Sequence, residues 1–164
     1  MHQASVPVLA RGLRNLAEIL RKAEAHCEAK KIDPQAFLQS RLYPDMFPLT
    51  RQVQIAGDMA KGAAARLAGA EVPSFPDTEA SFAELLARID RTVAFIEGFT
   101  AAQIDGSEQR PISIPLRDRT VSFDGQTYLT TWVLPNFYFH LTTAYALLRH
   151  GGVELGKRDF LGAH

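Results

Sequence analysis

Residues 9–27 read LARGLRNLAEILRKAEAHC, and the spacing of their apolar side chains decides the fold class. The apolar positions advance by alternating steps of four and three, which places them on one stripe of an α-helix. These positions are Leu9, Leu13, Leu16, Leu20, Ala23 and Cys27. Ser5 is the predicted N-cap, and Pro7 fits a first helical turn, where its missing N–H costs nothing. The stretch therefore predicts a long amphipathic helix packed against others.

Three further stretches carry the same alternation, at residues 49–67, 82–96 and 134–148. Asp45 is the predicted cap of the first of them, and Gly69 is its predicted end. Four amphipathic helices of about 20 residues each are typical of an antiparallel four-helix bundle. The sequence therefore predicts an all-α fold.

The connection before the fourth helix predicts a small β-hairpin. Residues 112–116 and 121–123 each alternate apolar and polar side chains with the period of a strand. Pro135 lies inside the fourth helical pattern, where a proline removes a hydrogen bond and crowds the preceding turn. We therefore expect the fourth helix to kink or restart near Leu134.

Composition limits the class of protein. The chain has 164 residues, about one domain, so residues 1–164 are predicted to form a single helical bundle. Eighteen basic and eighteen acidic side chains balance, which disfavours nucleic acid as a partner. No leader and no apolar run long enough to span a membrane is visible, and the one cysteine, Cys27, allows no internal disulfide. We expect a cytoplasmic protein with no membrane partner.

His140 is the histidine that the sequence singles out, because it shares the inward stripe of the fourth helix. Asn136 lies four residues earlier on the same face, so the two side chains can present an amide and an imidazole to one point. That spacing suits a ligand site, and it suits a mutually satisfied buried pair equally well. Gln52 and Gln54, early on the second helix, lie beside a face of small residues. Asp58, one turn later, is predicted to pair with Lys61 on the outside of the bundle.

Three segments carry a resemblance to a known family. They are RLYPDMFPL at 41–49, PNFYFH at 135–140 followed by TTAY, and LRHGG at 148–152 continuing to GKRDFLG at 156–162. These motifs resemble a bacterial family of uncharacterised proteins within the DinB/YfiT-like metalloenzyme superfamily, and the similarity covers essentially the whole chain. The resemblance implies an up-down-down-up four-helix bundle that is often dimeric.

The resemblance also indicates where a metal would bind. Metal-binding members place one histidine on the second helix and two, separated by three residues, on the fourth. His140 matches the last of these, Asn136 stands in place of its partner, and Gln52 or Gln54 replaces the first. One imidazole with carboxamides is a weak donor set for zinc or nickel. We therefore expect no cofactor, the alternative being a weakly bound divalent metal with His140 as the only residual ligand.

Three hypotheses about function follow. In the first, the depleted metal site survives as a small-molecule pocket around Asn136 and His140, with Gln52 as a further binding residue. In the second, the chain is a metal-dependent or histidine-based transferase or hydrolase in which His140 is the general base, helped by Tyr138, Gln52 or Asp45. In the third, it is a structural or interaction homodimer that uses the aromatic face of its last helix.

Overall fold

The computed structural model describes residues 1–162, and its core is built from four long helices. These are α1 (His2–Lys30), α3 (Leu49–Ala68), α4 (Phe82–Glu97) and α7 (Leu134–His150). The short helices are α2 (Pro34–Leu38), α5 (Ala101–Ile104), α6 (Gly125–Thr127) and α8 (Lys157–Leu161). The four predicted stripes are confirmed, since their apolar residues form one continuous core cluster.

The helices run up, down, down and up, as the resemblance implied. Arg51 of α3 pairs with Asp77, just before α4, and Asp58 of α3 pairs with Arg88 of α4. Later residues of α3 thus contact later residues of α4, so these two helices are parallel. Along α3 and α7 the contacts run in opposite directions, from Gln52 with His140 to Arg66 with Tyr128 just before α7. The connection between α3 and α4, residues 69–81, must therefore span the length of the bundle.

The predicted hairpin is confirmed. Strand β1 (Ile112–Pro115) pairs antiparallel with β2 (Thr120–Phe123), with Ile112 opposite Phe123. Ile112 and Ile114 point into the core, and this packing supplies the stability that an isolated two-stranded hairpin lacks. Within residues 1–162, no helix is long and apolar enough to cross a membrane.

The start of α1 differs from the prediction, because the helix begins at His2 and Ser5 is not its cap. Asp105 accepts hydrogen bonds from the amino group of Met1 at 3.0 Å and from the backbone N–H of His2 at 2.8 Å. A carboxylate 103 residues away thus binds N–H groups at the start of α1. The Ser5 hydroxyl instead donates to the carbonyl of Met1, and Pro7 lies within the helix.

The start of α3 also corrects the prediction, since Pro48 and not Asp45 occupies the N-cap position. Asp45 lies in an exposed turn in which the N–H of Met46 donates to the carbonyl of Tyr43. The N–H of Leu49 donates across the loop to the carbonyl of Ser40, so tertiary contact fixes where the helix begins.

The fourth helical segment restarts at Leu134, as Pro135 predicts. Residues Tyr128–Val133 form a π-helix, and the N–H of Leu134 donates to the carbonyl of Leu129, five residues back. Pro135 then falls in the first turn of α7, where a proline is tolerated. The extra residue in the π-turn changes the direction of side chains before Pro135 relative to those after it.

Candidate functional site

The centre of the site is a hydrogen bond between α3 and α7. His140 Nδ1 lies 2.7 Å from Gln52 Oε1, and Gln52 Nε2 donates to the carbonyl of Phe47 at 3.0 Å. Gln52 and His140 are both buried, at 1% and 9% exposure. The structure thus brings together two of the residues that the sequence singled out, 88 positions apart.

This pair fixes the tautomer of His140. The carbonyl oxygen of Gln52 can only accept, so Nδ1 of the imidazole carries the proton and Nε2 carries the lone pair. Burial lowers the pKa of His140, and the positive charge of Arg51 lowers it further. The imidazole is therefore mainly neutral at pH 7. Within residues 1–162 its Nε2 atom has no hydrogen bond partner.

Asn136 has a structural contact and an unused acceptor. Its Nδ2 donates to the carbonyl of Trp132 at 2.7 Å, which ties α7 to the π-helix before it. Its Oδ1 has no hydrogen bond partner in the described part of the chain, and the side chain is half-buried. Asn136 and His140 therefore offer two acceptors, one turn apart on the same helix.

Three other candidates lie away from this pair. Tyr138 lines a cavity of about 300 Å³ between α1, α7 and α8, whose wall includes Leu141 and Phe160. Asp45 lies in an exposed turn. Gln54 donates to Glu79 at 2.9 Å and belongs to a different cluster.

Large apolar side chains are exposed beside His140 on α7 and in the loop before α3. Phe139 is 56% exposed and its ring meets the His140 imidazole edge-on, with the ring centres 5.2 Å apart. Phe47, whose carbonyl holds Gln52, is 53% exposed. Leu42 and Tyr43, in the same loop as Phe47, are exposed as well. Exposed aromatic side chains on α7 and in this loop are candidates for contact with another molecule.

The donor set does not form a resident metal centre. Among residues 1–162, no group of three or more histidine, cysteine, aspartate or glutamate side chains is arranged to hold a metal ion. In this site His140 is the single imidazole, and its Nδ1 is used in the hydrogen bond to Gln52 Oε1, which leaves Nε2 as its one metal-donor atom. One imidazole and one carboxamide fall short of the three or four donors that zinc requires.

A buried ionic cluster around Arg88 is the polar feature that sequence reasoning missed. The guanidinium is about 1% exposed and pairs with Asp58 at 3.1 Å, Asp77 at 2.9 Å and Glu79 at 3.0 Å. Its Nη1 also donates to the carbonyl of Pro76 at 2.9 Å. Because three of these four partners lie between residues 76 and 79, Arg88 fastens the α3–α4 connection to the bundle.

The cluster corrects the predicted environment of Asp58. The Asp58–Lys61 pair is present at 2.9 Å, but Lys61 is buried and Asp58 also binds Arg88, so the pair is not an outward-facing contact. One signal was available in the sequence. Arg88 lies between Leu85 and Thr92 on a buried row of α4 that faces Gly57 of α3, and a charged residue on such a row needs charged partners.

The sequence and the fold are similar to those of known proteins. The model of a family described as "Domain of unknown function (DUF1993)" matches residues 1–161. Among solved structures, the chain is similar to a DinB family member protein from Shewanella denitrificans, with 42% sequence identity and a TM-score of 0.93. That match covers 99% of this chain and 92% of the other. A search of curated proteins finds no match.

Proposed function

The chain belongs to the DUF1993 family, and on that premise we propose that it binds a small molecule that donates hydrogen bonds to Asn136 and His140. The observation that carries the proposal is the Gln52–His140 hydrogen bond, which leaves a neutral imidazole with its Nε2 lone pair unused. A ligand with a primary amide group, whose two N–H bonds can point to different acceptors, would complete both.

The chemistry of the two acceptors supports this class of ligand. A neutral imidazole and a carboxamide oxygen accept hydrogen bonds but provide no negative charge. The ring of Phe139, which meets the His140 imidazole edge-on, would contact the apolar part of the ligand. Gln52 is a positioning residue, since it acts on the ligand only through His140.

The enzyme hypothesis uses the same atom. A neutral imidazole with a free Nε2 is a general base, and Gln52 would orient the ring through its hydrogen bond with Nδ1. Tyr138 and Asp45, the predicted helpers, have no hydrogen bond to His140 within residues 1–162. A histidine-based reaction would therefore rest on His140 with Gln52 as its only predicted helper in contact within residues 1–162, so binding is the function that we favour.

Nitrogen NMR of the imidazole tests the site directly. In long-range ¹H–¹⁵N spectra at pH 7, His140 is expected to show the neutral form with its proton on Nδ1, because Gln52 Oε1 accepts only from that atom. In Gln52→Leu the preference for this tautomer is expected to disappear. His26, which has no hydrogen bond in the described chain, serves as the internal reference. A proton on Nε2 in the wild type would contradict the proposal.

Zinc addition to the same sample separates binding from the metal alternative. We expect less than one zinc ion to bind per chain and the His140 signals to change only weakly, because two donors are too few to hold the ion tightly. One zinc bound tightly per chain and lost in His140→Ala would favour the metal-dependent interpretation. Weak or absent perturbation at one equivalent of zinc would count against the metal-dependent interpretation.

A homodimer is a second candidate, and the exposed aromatic surface next to His140 favours it. We expect light scattering to give twice the 18.1 kDa of one chain, because covering Phe47 and Phe139 removes apolar area from water. Phe139→Ser is expected to weaken the dimer. Tyr138→Ser is the matched control, since Tyr138 lies against α1 and α8 and not beside His140. A mass of one chain at all concentrations would exclude the dimer.

A further inference from the structure

A second cavity lies between α2 and the end of α7, away from the Gln52–His140 pair. It has a volume of about 270 Å³, and its floor is formed by Ile32, Phe37 and Leu147. Phe37 and Leu147 are almost fully buried, and Ile32 is half-buried. A floor of this kind accepts the apolar body of a small ligand.

The floor is held in place by close packing. A Cβ atom added to Gly151 would lie 2.4 Å from Cε1 of Phe37, so the ring packs directly on the backbone at the end of α7. The ring of His26, which does not line the cavity, also meets Phe37 edge-on with the ring centres 5.9 Å apart and restricts the phenyl ring further. The cavity is therefore a shaped slot and not a gap that a rotating phenyl ring would close.

The rim of the cavity is polar, and both of its ionisable side chains are basic. Ser40, Arg41 and His150 supply a hydroxyl, a guanidinium and an imidazole. Arg41 Nη1 donates to the carbonyl of Met46 at 2.7 Å, which orients the guanidinium. Its remaining nitrogens and both ring nitrogens of His150 have no partner within residues 1–162.

We infer that this cavity binds a small organic acid, with its apolar body on Phe37 and Leu147 and its carboxylate at Arg41 and His150. A planar guanidinium forms paired hydrogen bonds with a carboxylate, and an imidazole adds a further donor. No acidic side chain lines the slot to oppose the anion. Leu147 follows His140 by seven residues, about 10 Å along the helix, so this site is distinct from the proposed donor site.

Hexanoate is the probe, and the full-length protein with ¹³C-labelled methyl groups is the sample. Saturable shifts are expected at the methyls of Ile32 and Leu147, with a dissociation constant of about 1 mM for so small a ligand. Hexan-1-ol has the same apolar chain without the charge, and it is expected to bind about tenfold more weakly or worse. If hexanoate shifts neither of these methyl signals, the assignment is overturned. Equal affinity for hexan-1-ol and hexanoate would overturn it too.

Variants of the rim complete the test. Arg41→Gln and His150→Gln are each expected to weaken hexanoate binding, Arg41→Gln by about tenfold or more because it removes a charged hydrogen bond donor. Arg149→Gln is the matched control, since Arg149 is exposed in the same last turn of α7 but does not line the cavity. Equal losses in the control and in both rim variants would show a non-specific charge effect and would refute the site. This proposal does not rest on the proposed ligand site at Asn136 and His140, so either proposal can fail without the other.

Discussion

Replacing Arg88 with Met is expected to lower the free energy of unfolding by about 3–5 kcal/mol, the usual cost of removing one partner from a buried ion pair. The guanidinium is about 1% exposed and is shared by Asp58, Asp77 and Glu79. A methionine side chain has similar bulk, so the loss comes mainly from Glu79, which is left without a cation, since Asp58 keeps Lys61 and Asp77 keeps Arg51. The cost is largest for Glu79, because its carboxylate is the most buried of the three.

Chemical denaturation of the variant and of a matched control measures this effect. Arg91→Met removes the same charge one turn later on α4, where the guanidinium is exposed and lies 4.0 Å from the centre of the Phe75 ring. An exposed cation–π contact contributes about 0.5–1 kcal/mol, so the control is expected to lose far less stability than Arg88→Met. Equal losses in the two variants would show that burial of the cluster makes no difference to its contribution.

The acid side of the stability profile provides a second readout for Arg88→Met. Burial raises the pKa of Glu79, but hydrogen bonds from Gln54 and Arg88 outweigh it, so the pKa lies below the ordinary value of 4.5. A lowered pKa in the folded state contributes stability above the ordinary value, and that stability is lost as the pH falls through the folded pKa. Arg88→Met is expected to lose less stability than the wild type as the pH falls below about 4.5, because one of the two hydrogen bond donors to Glu79 is gone.

The helices could be predicted from sequence because their cause is local. The stripes of α1, α3 and α4 follow from spacing alone, and the Ser81 hydroxyl that accepts from the N–H of Glu84 is a local signal of the same kind. The starts of α1 and α3 could not be predicted. Asp105 binds the start of α1 from 103 positions away, and the carbonyl of Ser40 binds the N–H of Leu49 across a loop. No pattern of neighbouring residues predicts these contacts.

The Gln52–His140 pair and the Arg88 cluster also differ in how far the sequence predicts them. The family resemblance predicts His140 and either Gln52 or Gln54 at metal-ligand positions, and helix periodicity predicts that His140 faces inward. Arg88 carries no such motif. Its burial depends on three carboxylates from α3 and from the connection after it, a combination that only the folded chain assembles.

The contact between α1 and α7 gives the second large expected effect, a loss of about 3–5 kcal/mol for Phe137→Ala. Phe137 is fully buried, and a Cβ atom added to Gly12 would lie 2.7 Å from its Cε1 atom. Gly12→Ala alone is therefore expected to destabilise by about 1–3 kcal/mol through overpacking, although alanine is the better helix former.

The double variant decides whether the phenyl ring is the reason that Gly12 cannot carry a side chain. With Phe137 reduced to alanine, the methyl group that Gly12→Ala introduces enters vacated space, and this substitution is expected to become stabilising by up to about 1 kcal/mol. Gly57→Ala is the control, because its Cβ would lie an ordinary 3.5 Å from Thr92 Oγ1 and should act identically in both backgrounds. If Gly12→Ala costs the same with and without Phe137, the close approach of α1 to α7 is set by other side chains, with Leu141 as the next contact at 3.1 Å.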